Sequence, residues 1–269
     1  MEGRDITIEW RWVAGDFAQL PIVAAELVNL KPDVLVAGGT PAALAFRRLT
    51  AKIPIVMIAG TDPIQAGLVA SLARPGANIT GLTRIAPVLA GKRLELLKEA
   101  FPRVSRVAVL WHDLSNPYTA SQLRELRAGA SVLGVSLQSL ELRSAADLDS
   151  AFTAITQQRA GAIITVQNGL TIAQRARILA LVAKSRLPGM YETQDRTDAG
   201  GLMAYGASDS ELYRRAAHFV ERILKGANPG DLPVEQPTKF DLVINLKTAK
   251  SLSLPIPPSL LLRADQVIE

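Results

Sequence analysis

Along most of this chain, short uninterrupted apolar runs alternate with segments whose apolar residues recur every three or four positions. Residues 34–37, 53–59, 104–110 and 160–166 are of the first kind. They predict strands covered on both faces, as in a parallel sheet with helices on either side. Residues 17–30 are of the second kind: Leu20, Val23, Ala24, Leu27 and Val28 share one helical face, and Lys31-Pro32 ends it. The same spacing predicts helices over 41–50, 63–72, 87–100, 117–133, 145–158, 171–185, 208–225 and 246–252, with strands over 78–84, 135–142, 187–191 and 201–205. Residues 5–12 (DITIEWRW) alternate polar and apolar and read as a further strand. The tail is rich in proline, with short extended pieces and a last stretch over 260–268.

Strands alternating with helices predict an α/β protein of parallel layers. The pattern restarts after residue 84, where a long helix with a charged outer face (GKRLELLKEA) intervenes. Two lobes are therefore expected, each a doubly wound sheet: residues 1–84 with 207–236, and residues 85–206 with 237–269. Ligands of such sheets sit beyond the carboxyl ends of the strands. Two lobes facing each other would enclose a cleft lined by those ends.

One corner recurs at these ends. The strand at 34–37 runs through Gly38-Gly39 into Thr40-Pro41. Thr40 stands where a helix N-cap belongs and Pro41 where the first helical residue belongs. Thr61-Asp62-Pro63 and Ser115-Asn116-Pro117 repeat the grammar after the next apolar runs. A helix N-terminus offers unpaired N–H groups and a positive dipole end, so such corners suit a carboxylate or another anion. With Gly39, Thr40, Thr61, Asp62 and Asn116, the strand ends also carry Asn168, Tyr191, Glu192 and Tyr205. A small zwitterion needs such a set: donors for its carboxylate, acidic oxygens for its ammonium and a ring over its side chain. Taken singly, Asp62 and Asn116 are equally well explained as caps, the two tyrosines as packing residues and Glu192 as a solvated carboxylate. Recurrence at successive strand ends carries the joint reading.

Composition narrows the chemistry. The chain has 269 residues, 48% of them hydrophobic, enough to fill a sizeable core. Its net charge of +5 comes from 30 scattered Lys and Arg, often beside Asp or Glu, with no basic block interleaved with aromatics. Nucleic acid is therefore not an expected partner. The absence of cysteine excludes disulfides, thiolate metal sites and a Cys nucleophile, and fits an oxidising compartment. No apolar run is long enough to span a membrane, and MEGRDITIEW lacks the apolar region and cleavage site of a signal peptide. The two histidines, His112 and His218, form no ligand spacing, and no HExxH, GxSxG, GxxxxGK[ST] or strand-linked GxGxxG motif occurs. No cofactor and no metal is expected, and a binding protein is favoured over an enzyme. An α/β enzyme or a ligand-sensing domain using the same cleft remains the alternative.

Four stretches resemble a known family: GGTPAALA; IPIVMIAGTDPIQAGLVASLARPGANITGLT; LAGKRLELLKEAFPRVSRVAVLWHDLSNP; and the tail FDLVINLKTAKSLSLPIPPSLLLRADQVIE. They are similar to the ABC-transporter substrate-binding proteins of the tryptophan-binding type, and the resemblance covers essentially the whole chain. It implies a type 1 periplasmic-binding-protein fold, with two Rossmann-like lobes, three crossovers and a hinged cleft. It also implies a periplasmic location, a membrane permease as partner, and amino acids, notably aromatic ones, as ligands. The hinge segments would lie near residues 82–85, 205–207 and 232–237. By motif, the implied cleft positions are Thr40, Asp62, Asn116, Asn168 and Glu192. Members of the family begin with an export signal, a first strand and a helix, whereas this chain starts at what reads as the second strand. The first lobe is accordingly expected to lack its first βα unit, and with it the strand between residues 6–10 and 34–37.

Overall fold

In the computed structural model, residues 6–13, 17–59, 62–84 and 89–269 are described. The chain divides into two compact units. One comprises Met1–Ile85 and Glu211–Gln236, the other Ala86–Ser210 and Pro237–Glu269, so the chain passes between them three times.

The first unit contains helix α1 (Leu20–Asn29), strand β1 (Leu35–Ala37), helix α2 (Thr40–Leu49), and strands β2 (Ile55–Ala59) and β3 (Ile79–Thr83). The strands form a parallel sheet in the order β1-β2-β3, with Leu35 opposite Ile55 and Ile55 opposite Ile79. Every residue of β2 is buried, which explains its unbroken apolar sequence. Ala43 and Phe46 of α2 close over Leu35, Ile55 and Met57. The chain returns late to complete this unit. Buried Thr80 donates its hydroxyl to the Leu232 carbonyl at 2.6 Å, and Glu235 runs parallel to Leu82 along the outer edge of β3.

The second unit holds a seven-stranded sheet in the order β10-β9-β8-β7-β6-β4-β5. Its strands are β4 (Arg106–Trp111), β5 (Ser136–Glu141), β6 (Ala162–Thr165), β7 (Gly189–Tyr191), β8 (Met203–Ala207), β9 (Phe240–Asn245) and β10 (Gln266–Ile268). All neighbours are parallel except β8 and β9. The intervening helices are α3 (Leu89–Ala100), α4 (Pro117–Leu133), α5 (Asp147–Gln157), α6 (Gly169–Ala173), α7 (Arg175–Lys184), α8 (Gln194–Asp198), α9 (Asp209–Leu224), α10 (Leu246–Leu252) and α11 (Pro258–Leu261). Val107 and Val109 of β4 face one core layer with α3 and α4, while Ala108 and Leu110 face the other with α5 and α7. The period of two and the absence of a polar face follow from burial on both sides. Helix α9 crosses back to the first unit and buries Leu212, Ala216, Phe219 and Ile223, a stripe at helical spacing.

Several sequence expectations need correction. Residues 7–13 belong to no strand, and only Ile6 makes an isolated bridge. Ile6, Ile8, Trp10 and Trp12 are exposed, and the indoles of Trp10 and Trp12 stack with centroids 5.9 Å apart. Alternation predicted a strand, but a strand also needs a ladder of hydrogen bonds to a neighbour, and residues 7–13 form none. The helix expected over 63–72 is a single turn: Ala66 N–H reaches Asp62 O, and the chain then turns at Gly67, whose φ is +68°. The helix expected over 171–185 is two, α6 and α7, parted at Gln174. The cap of α2 is Gly39, with Thr40 already inside the helix.

Candidate functional site

The order of strands in the second unit reverses between β4 and β6, because β5 lies on one side of β4 and β6 on the other. The splayed connections at such a reversal open a crevice beyond the strand ends. Two loops flank it, residues 112–116 after β4 and residues 166–168 after β6. Asn116 caps α4 by accepting Tyr118 N–H at 2.9 Å. Before it, Asp113 adopts a left-handed φ of 56° and accepts Ser115 N–H at 3.0 Å. The Ser115 hydroxyl, followed by its N–H, holds the exposed Asp113 carboxyl below the usual carboxylate range.

Asn168 is fixed more firmly. Its Oδ1 accepts Thr171 N–H at 2.9 Å, its N–H meets the Thr171 hydroxyl at 3.0 Å, and its Nδ2 donates to Val166 O at 2.9 Å. This reciprocal capping makes a rigid corner of a five-residue helix. Half-buried Tyr205 packs its ring near Phe240, with centroids 6.4 Å apart, and its carbonyl accepts Arg93 Nε–H at 2.7 Å.

Two residues predicted at the rim lie deeper. Tyr191 is wholly buried, its ring packed against Gly189 and Gly201 so closely that a Cβ on either would strike it. Its hydroxyl has no hydrogen-bond partner among the described residues, and burial pushes that group above the ordinary phenol value. Glu192 is 7% exposed. Its Oε1 accepts Gln167 N–H at 3.0 Å, its Oε2 accepts the Tyr118 hydroxyl, and Arg93 NH1 lies 3.8 Å from Oε1.

In the first unit, Gly38 and Gly39 bring the chain from β1 to the start of α2, where Thr40 is buried. The Tyr213 hydroxyl of α9 stands where a Cβ on Gly38 would be 3.1 Å from it. Asp62 accepts Ile64 N–H at 2.8 Å and Gln65 N–H at 3.3 Å through Oδ1. Thr61 lies outside the described residues. Among the described residues, no group of three His, Cys, Asp or Glu side chains could hold a metal ion.

Arg93, Tyr118 and Gln122 were not among the residues singled out by sequence. Arg93 was read as part of a charged outer face, yet it is 4% exposed and donates to Gln122 Oε1 at 3.0 Å. The available signal was spacing: Arg93 is four residues from both Leu89 and Leu97, on the apolar stripe of α3.

The fold and its strand-end corners define a two-unit α/β binding protein. The profile of the family described as "ABC transporter substrate binding protein" matches residues 2–268, and the chain belongs to that family, whose members carry ligands and are not enzymes. Among solved structures, the chain is similar to the ABC domain from Streptococcus pneumoniae in complex with L-Trp. The identity is 28%, with 99% of this chain and 89% of that chain covered and a TM-score of 0.89. It is also similar to a conserved domain protein from Vibrio cholerae, with 30% identity, 99% and 88% coverage and a TM-score of 0.87. A tyrosine-binding protein from Clostridioides difficile is 25% identical over 94% of this chain and 72% of its own length. No helix among the described residues is long and apolar enough to cross a membrane.

Proposed function

We propose that this protein is the solute-binding component of an ABC importer outside the cytoplasm, that it captures a free amino acid, and that its ligands are aromatic ones. The observation that carries this reading is the end-to-end likeness to a structure holding L-Trp. The site chemistry is consistent with it. Gly39, Thr40, Thr61 and Asp62 from one lobe, with Asn116, Asn168 and Tyr205 from the other, supply donors, an acidic oxygen and a ring. Tyr191 supports the site from the core, and Glu192 from behind its loops. Closure of the lobes about the three crossovers would then be favoured by ligand contacts made only in the closed state, and the liganded form would dock on a membrane permease.

Thermal shift and calorimetry against the twenty amino acids and a panel of small carboxylates and sugars test this. A ligand at one hundred times its dissociation constant adds about 2.7 kcal/mol to the stability of the folded state, so L-Trp or L-Tyr should raise the melting temperature saturably. Binding of a sugar or a non-amino carboxylate, with no amino acid binding, would overturn the assignment.

A further inference from the structure

We infer that Glu192 is a positioning residue that sets the separation of the two ligand-facing loops of the second unit, and that it does so without touching the ligand. The inference rests on the reading of those loops as a ligand site. One carboxylate joins both sides of the strand-order reversal: it receives Gln167 N–H from the loop after β6 and the Tyr118 hydroxyl from the first turn of α4. Asn168 follows Gln167 directly, and Asn116 stands two residues before Tyr118. The two asparagines offered to the ligand are thus each anchored, within two residues, to the same buried group.

The Glu192 and Arg93 side chains are 6% and 5% exposed and lie 3.8 Å apart, too far for a direct hydrogen bond. Each charge is completed by other partners, Arg93 by the Tyr205 carbonyl and the Gln122 amide. Burying such a pair is costly in desolvation and contributes little net stability compared with apolar packing. What it supplies is geometry: fixed distances among β7, the loop after β6, the start of α4 and the backbone of β8. Each carboxylate oxygen accepts a hydrogen bond from the protein, Oε1 from Gln167 N–H and Oε2 from the Tyr118 hydroxyl, and the side chain is 6% exposed.

The test uses the full chain and its Glu192→Gln, Tyr118→Phe and doubly substituted forms, with L-Trp, L-Tyr and the deaminated analogue indole-3-propionate as probes. Calorimetry reads affinity and hydrogen exchange reads the Gln167 amide. Glu192→Gln should weaken L-Trp and the deaminated analogue by the same factor, about tenfold. It should also speed exchange at Gln167 in the unliganded protein. Tyr118→Phe should weaken binding too, and the double variant should lose less than the sum of the two singles. Loss of L-Trp affinity with the analogue unaffected would make Glu192 a direct ammonium contact and overturn the inference, as would unchanged affinity or fully additive losses. If none of the probes binds the unsubstituted chain, the functional reading fails, while unchanged Gln167 exchange in Glu192→Gln would still sink the positioning role. Should Glu192→Gln not fold, Tyr118→Phe alone carries the affinity test.

Discussion

At the scale of single residues, the roles of two glycines separate steric from conformational constraint. Gly206 of β8 lies so close to β7 that a Cβ would stand 1.9 Å from the Glu192 carbonyl oxygen. That neighbour is backbone and cannot swing aside. Gly206→Ala should therefore cost about 3 kcal/mol in urea unfolding, and ligand affinity should fall with it because Glu192 must move. Gly134 closes α4 in the left-handed region, at φ 62°, with nothing among the described residues within 4 Å of its Cβ position. Here only the backbone preference is lost, so Gly134→Ala should cost about 1 kcal/mol and leave binding unchanged. The sequence distinguished neither case. Gly134 was readable as a helix stop, but the approach of β7 to Gly206 depends on strand pairing.

At the scale of elements, most of the order was legible and the ends were not. Helix α4 occupies Pro117–Leu133, as its spacing, its Asn116 cap and its Gly134 stop predicted. Such ends announce themselves because the capping groups are local in sequence. The break between α6 and α7 is not of that kind, since the apolar period continues across Gln174. Helix α8 escaped notice because it is five residues long and buries Arg196 and Thr197, polar side chains that read as surface. Arg196 NH2 donates to Thr171 O at 2.9 Å, which fastens α8 to the Asn168 corner. Asn168→Ala should remove the reciprocal cap, at about 1 kcal/mol, and weaken ligand binding more than its stability loss alone explains.

The start of α5 makes a pH prediction. Ser144 N–H and then Arg143 N–H donate to the Asp147 carboxylate and hold its pKa below the ordinary value of 3.8. Because the folded value is the lower one, this contribution is present above the unfolded pKa and is lost as pH falls through the folded one. In urea unfolding, the stability gap between the wild type and Asp147→Asn should narrow steadily below about pH 4.

At the scale of the molecule, the segment that returns to the first unit carries contacts of different kinds, one within itself and one to β3. Arg215 meets both Glu235 oxygens, at 2.9 and 2.5 Å, but the pair is exposed. Thr80 makes one hydrogen bond to Leu232, fully buried. Solvent screening leaves exposed pairs worth less than about 1 kcal/mol, whereas an orphaned buried carbonyl costs about 1–3 kcal/mol. Thr80→Val should therefore destabilise the protein more than Arg215→Ala, by the midpoint of urea unfolding. The α/β class and the two parallel sheets were legible because burial on both faces writes itself as apolar runs. The hub at Glu192 was not, since Arg93, Tyr118 and Gln167 come to it from three distant segments.

The threefold passage of the chain between its units also governs when each can be finished. The edge of β3 is bordered by Glu235, and β8, already paired with β7 on one side, gains its second neighbour, β9, only beyond Pro237. As the polypeptide leaves the ribosome, β1, β2 and β3 appear early and wait for the stretch that follows Ser210, while β4 to β8 wait for the tail. Neither unit can seal on its own during synthesis. The topology that weaves the chain back and forth thus ties the completion of both units to segments made after Ser210.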